Sequence, residues 1–190
     1  MVSATIDSSK TNYTYSILIY LPASYDVGNA SYPTIYALDG DARFVPPDTR
    51  FTNFKNILER RGTDAILIGI GGTERRQIDY LLPGAVAYHD FLALELIPYV
   101  ESHFRADPKK RMISGISSSG NFPLLALFMD APDKLLFSSF IINEGAFWQQ
   151  LDVMHRMEAE MFEAVAGRDL RVNLILARQG GDIFYGTIGS

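Results

Sequence analysis

The sequence contains no cysteine, which excludes a disulfide framework, a thiolate metal site and a cysteine nucleophile. Histidine is scarce, with only His89, His103 and His155 present. Long apolar runs are missing, and nothing approaches the roughly 20 consecutive apolar residues of a membrane span. The N-terminal residues, Met1 to Asp7, show no basic segment followed by an apolar one. No export signal is expected from them, so a cytoplasmic location is the default and no membrane partner is foreseen. Basic charge is in deficit as well. The 17 lysines and arginines stand against 22 aspartates and glutamates, a net charge of −5, without the basic footprint of a nucleic-acid binder. No cluster of metal ligands or phosphate-cradling glycine motif is evident, so neither metal nor cofactor is expected.

What remains is enough for one domain over residues 1–190, with 47% hydrophobic residues to build a core. Residues 13–21, rich in β-branched and aromatic side chains, read as a strand that Pro22 ends. Residues 34–38, 65–70, 111–115, 135–142 and 172–177 are short apolar runs of the kind covered on both faces. Between them, residues 51–61, 91–100 and 148–165 carry helical spacing, with Gly62 as a stop for the first and a bend expected near Pro98 in the second. Residues 73–84 read as a long polar loop and residues 107–110 as a turn. Strands alternating with helices imply an α/β fold: a mainly parallel sheet with helices on both faces, opened by an antiparallel N-terminal strand. Ligands in such sheets gather at the C-terminal strand ends. The turn from Asp39 through Phe44, the loop after Gly72 and the Asn143-Glu144-Gly145 turn all fall there.

The chain's organising stretch is Arg111-Met112-Ile113-Ser114-Gly115-Ile116-Ser117-Ser118-Ser119-Gly120. An apolar run, a glycine, a serine two residues on and an immediate helical stripe make the layout of a nucleophile elbow, which lifts a serine hydroxyl above the sheet. The pattern G-x-S-x-G has Ser119 where its second glycine belongs. Ser118 is the weaker register, because Ile116 would then occupy the crowded position two residues before the nucleophile. The same residues would also serve as a polar helix start, with Ser117 or Ser118 as N-cap.

The elbow has company. Tyr32-Pro33-Thr34-Ile35-Tyr36-Ala37-Leu38-Asp39-Gly40, Arg76-Gln77-Ile78-Asp79-Tyr80 with Pro83, and Glu95-Leu96-Ile97-Pro98-Tyr99-Val100-Glu101 precede it in order. From about Tyr13 to about Asp182, the chain resembles the putative-esterase family of α/β-hydrolases, which includes esterase D-like enzymes and enterobactin esterases. The resemblance implies an α/β-hydrolase-like three-layer sandwich and a serine carboxylic-ester hydrolase acting on a small-molecule ester. Ser117 would be the nucleophile and Asp182 the triad acid. The N–H of Ser118 and one from the Gly40-Asp41 turn would form the oxyanion hole. Arg76, Asp79 and Trp148 are candidates for substrate binding, although a structural salt bridge is the plainer reading of the first two.

The ending departs from that pattern. In α/β-hydrolases the histidine follows the acid, and here no histidine follows His155. The expectation is a C-terminally truncated fold without its final strand and helix, leaving the strand at 172–177 at or near a sheet edge that a homodimer could cover. His89 and His103 have plain structural explanations, while the helix bearing His155 follows a strand end at the active edge. A catalytically silent binding or scaffold protein is therefore the alternative reading.

Overall fold

The computed structural model describes residues 1–178 and the backbone of residues 184–185. Eight strands form one sheet: β1 (Val2–Ser8), β2 (Tyr13–Tyr20), β3 (Tyr32–Ala37), β4 (Ile66–Ile70), β5 (Ala106–Ile116), β6 (Ser139–Asn143), β7 (Asn173–Ala177) and β8 (Phe184–Tyr185). Their order is β1-β2-β4-β3-β5-β6-β7-β8. The five strands from β4 to β7 run parallel, while β1, β2 and β8 pair antiparallel at the two ends. Parallel neighbours need crossovers, and these place helices on both faces.

The two faces can be read from alternate residues. Ile35, Ala37 and Leu67 pack with Phe51 and Leu58 of α1 (Arg50–Arg61) on one side. Tyr36, Leu38, Ile66, Ile68 and Ile113 pack on the other side with α3 (Gly84–Phe91), α4 (Ile97–His103) and α5 (Asn121–Met129). The sixth helix, α6 (Leu151–Ala164), adds Met154 and Met161 to that second core. Three layers result, as expected for an α/β-hydrolase-like sandwich.

Several element boundaries differ from the sequence expectation. β1 was not anticipated; it forms because its backbone pairs with β2 from Val2 opposite Ile19 to Ser8 opposite Tyr13, although most of its side chains stay exposed or half-buried. The loop at 73–84 contains a short helix, α2 (Arg76–Asp79), and α3 begins at Gly84 without a side-chain cap to announce it. Near Pro98 the helix does not simply bend. Residues Leu92–Leu96 widen into a π turn in which the Ile97 N–H reaches Leu92 O. This gives room one turn before the proline ring, where an α-helical carbonyl would clash. The turn expected at 107–110 is a bulge within β5, where register jumps from Tyr32 opposite Ala106 to Thr34 opposite Arg111. Residues 135–138 precede β6 instead of extending it. Finally, β8 pairs with β7 at Ile175 and Leu176, so a further strand follows and β7 stands next to the last strand of the sheet.

Candidate active site

β5 ends at Ile116, and the chain turns at Ser117 with φ of 56°, a left-handed conformation that non-glycine residues seldom adopt. It then winds directly through a 3₁₀ turn, Ser117–Gly120, into α5. The turn is tight enough to exclude side chains. A Cβ on Gly115 would lie 2.0 Å from the Ser119 carbonyl oxygen, and one on Gly120 would lie 2.8 Å from Gly145 Cα. Ser119 stands where the expected pattern has glycine, and its burial explains the exchange. Its Oγ accepts the Ile116 N–H at 2.9 Å and donates to the Ile116 carbonyl at 2.9 Å, stapling the end of the strand to the turn.

The three adjacent serines therefore have different surroundings. Ser119 holds the turn. The buried Ser118 hydroxyl accepts from Gln77 Nε2 at 3.2 Å and donates to Gln149 Oε1 at 3.2 Å. Ser117 carries the strained φ, and among the described residues its hydroxyl has no hydrogen-bond partner. Its carbonyl accepts the Ala146 N–H at 3.0 Å, which fixes the loop after β6 beside the elbow.

Two backbone donors face the question of an oxyanion. The Ser118 N–H sits in the first turn of a helix, where amides lack intrahelical acceptors. At the end of the adjacent strand β3, Asp39 turns the chain with φ of 54°. The Gly40 N–H is already committed to Ile70 O at 2.8 Å, and Ala42 N–H closes the turn on Asp39 O at 3.0 Å. Asp41 N–H is the donor this turn can offer. The Asp41 carboxylate accepts from Gly72 N–H and the Thr73 hydroxyl, which ties the turn to the loop after β4.

None of the three histidines is bonded to Ser117. His89 Nε2 lies 2.8 Å from Asp130 Oδ1 at the far end of α5, and Asp130 also accepts the Leu136 N–H. His103 Nδ1 donates to Tyr99 O at 2.8 Å on the surface of α4. His155 lines a groove of about 320 Å³ between α5 and α6, together with Leu127, Phe128 and Phe162. Leu127 and Phe128 lie near the end of α5 opposite the elbow. Asp182, the expected acid, lies outside the described residues.

The family model described as "putative esterase" matches residues 8–184. The chain belongs to that family. Solved structures share the fold. An IroE-like serine hydrolase from Shewanella oneidensis is 24% identical with a TM-score of 0.72, over 85% of this chain and 55% of that one. The BES protein from Bacillus cereus is 23% identical with a TM-score of 0.74, over 93% of this chain and 73% of that one. The siderophore hydrolase EstB from Aspergillus nidulans is 21% identical with a TM-score of 0.78, over 94% and 68%. This esterase-family chain thus spans between about half and three quarters of the lengths of these neighbours. No curated protein matches it.

Around the elbow of this esterase-family domain lies a polar wall that sequence reading missed. Gln149 accepts from Asn121 Nδ2 at 2.9 Å as well as from Ser118, and its own amide reaches Gln77 Oε1 at 3.4 Å. Uncharged glutamines in two short helical turns carry no motif, so only their convergence identifies them. Arg76 lies at the same edge, with Nη2 donating to Ile116 O at 3.0 Å and Nε 3.1 Å from Asp39 Oδ2. The second contact is an ion pair, since the N–H does not aim at the oxygen. Asp39 is fully buried, and burial raises its pKa above the usual carboxylate value against the opposing pull of the Ser119 hydroxyl, Arg76 and Arg50. Arg50, also buried, donates to Leu38 O, Ser114 O and Ser114 Oγ, and burial lowers its pKa to about 10.

The other two substrate-binding candidates are placed differently. Asp79 is buried, with Oδ1 2.8 Å from Arg75 Nη2 and Oδ2 accepting the Tyr15 hydroxyl at 2.7 Å, so both oxygens are held within the fold. Trp148 is 79% exposed in the short helical turn Phe147–Gln149, next to the Gln149 that touches the elbow. Among the described residues no group of three or more potential metal ligands occurs, and no helix is long and apolar enough to cross a membrane.

Proposed function

We propose that the chain is a serine carboxylic-ester hydrolase that acts through an acyl-enzyme on Ser117. The observation that carries this reading is a Ser117 hydroxyl without a hydrogen-bond partner among the described residues, on a left-handed residue at the end of β5, in a chain of an esterase family. In the proposed reaction Ser117 Oγ attacks the ester carbonyl and loses its proton to a base. The Ser118 and Asp41 N–H groups donate to the oxyanion, where negative charge develops in the transition state. The alcohol leaves with a proton, and water then releases the acid from the serine ester. Asp182 is proposed as the acid that would orient the base. Arg76, Gln77 and Gln149 border the reacting carbonyl, and Trp148 offers an apolar surface beside it.

A serine hydroxyl without a base is a weak nucleophile; His89 and His103 are bonded elsewhere, and His155 lines the α5–α6 groove. The chain by itself is therefore expected to retain about 10³–10⁴-fold catalysis over water, from binding and the oxyanion donors alone. The test is labelling with a fluorophosphonate probe, wild type beside Ser117→Ala, with and without added imidazole, and location of the adduct by mass spectrometry. The expected result is a single adduct on Ser117 that forms faster with imidazole and is absent from the alanine variant. Folded protein that takes no label even with imidazole, or takes it equally on Ser118, would overturn the reading.

A further inference from the structure

Two residues with positive φ flank the candidate oxyanion hole, Asp39 on the β3 turn and Ser117 on the β5 turn, at 54° and 56°. Such conformations persist only where the surroundings over-determine them. Arg76 touches both turns. Arg76 Nη2 donates to the carbonyl of Ile116, the residue immediately before Ser117, and Arg76 Nε pairs with the carboxylate of Asp39 itself. We infer that Arg76 is a positioning residue, a clamp that fixes the Asp41 and Ser118 N–H groups relative to one another by holding the two strained turns on one guanidinium.

Three features support a clamp over a substrate contact. First, the planar fork has donors in fixed directions, which suits two acceptors on two segments and which a lysine ammonium cannot reproduce. Second, Asp39 is wholly buried, with the Ser119 and Tyr80 hydroxyls, Arg76 and Arg50 as the groups that favour its charged form. Of the two cations near this buried carboxylate, Arg76 is the one that also donates to the Ile116 carbonyl at the elbow. Third, Arg76 is itself held from behind, its guanidinium carbon 5.3 Å from the centre of the Phe44 ring, on the same turn as Asp39. The Ile116 carbonyl it grips is also the acceptor of the Ser119 staple, so strand end, elbow and oxyanion turn converge on one group. Preorganised donors act only when held in place, and a misplacement of about 1 Å costs on the order of 10²-fold in rate.

This role rests on the esterase reading for its purpose but not for its geometry, and the experiment separates the two. Backbone hydrogen exchange is measured in wild type, Arg76→Gln and Arg76→Lys. The amides read are Gly40 and Ala42 on the β3 turn, Ile116 at the elbow and Ala146 bonded to Ser117, with β1–β2 amides as controls. Both variants are expected to speed exchange at the two turns together and leave the β1–β2 ladder unchanged. In parallel, fluorophosphonate labelling should show the limiting rate falling roughly 10- to 100-fold, with the half-saturating probe concentration little changed. A rise confined to half-saturation, with unchanged exchange, would overturn the clamp and make Arg76 a substrate contact. Exchange rising everywhere would overturn it as well, reducing Arg76 to general stability. If wild type takes no label but exchange responds at both turns, the clamp stands and the esterase reading falls.

Discussion

Gly115→Ala is the sharpest probe of the elbow. The added methyl would sit 2.0 Å from Ser119 O, 2.5 Å from Ser119 C and 2.9 Å from Gly120 N, all backbone atoms that cannot rotate away. Relief requires Ser119 to move, yet its hydroxyl makes both bonds to Ile116. Overpacking costs about 1–3 kcal/mol, and two hydrogen bonds add about 1 kcal/mol each. The sum, about 3–5 kcal/mol, is a large part of the roughly 5–15 kcal/mol that holds a domain folded. Gly28→Ala is the control, since nothing lies within 4 Å of its added methyl and its φ of −156° suits any residue. Urea unfolding of both variants beside wild type reads the difference. If Gly115→Ala unfolds within about 0.5 kcal/mol of Gly28→Ala, a change typical of an unremarkable surface site, the close approach of Gly115 to the Ser119 backbone is refuted.

Other outcomes follow from the same site. Ser117→Gly should be more stable than Ser117→Ala by about 1 kcal/mol in urea, because glycine relieves the left-handed strain that alanine keeps; equal stability would count against that strain. Asp39 has a folded pKa raised by burial above its ordinary 3.8, among Arg76, Arg50, Tyr80 and Ser119. The native state therefore binds more protons than the unfolded one between those values, so this group's contribution to stability falls as pH rises through the folded pKa. Relative to Asp39→Asn, wild type should lose stability between pH 3.8 and its folded pKa, read from urea midpoints at stepped pH; a constant difference would refute this. His155→Ala should leave Ser117 labelling unchanged, since His155 lines the α5–α6 groove, and a lost adduct would return it to the site.

The sequence by itself determined what depends on neighbours in the chain. Apolar runs at 34–38 and 65–70 are strands because short β-branched stretches covered on both faces have little alternative. The glycine–serine cluster at 115–120 turns sharply from strand to helix, with no room for a side chain at Gly115 or Gly120. Gly62 ends α1 in the left-handed conformation, φ 59°, as its position foretold. The helix start at Gly84 was not legible, since Pro83 caps nothing with a side chain. β1 was equally hidden, because its place is set by pairing with β2 and not by burial.

The sequence favoured Ser117 over Ser118 through Ile116, but only the tertiary structure gave Ser118 its partners, which lie far away in sequence. Ser118 is occupied by Gln77 and Gln149, 41 and 31 residues distant, while the Ser117 hydroxyl has no partner among the described residues. Arg76 finds Ile116 across 40 residues, and Gly40 spends its N–H on Ile70. His155 follows a strand end at the active edge, yet its helix runs alongside α5 and carries the ring into the groove beside Leu127 and Phe128. Periodicity names the faces of an element. Which loop meets which at the end of a parallel sheet is decided by strand order, and β3 and β5 become neighbours only when the whole sheet is assembled.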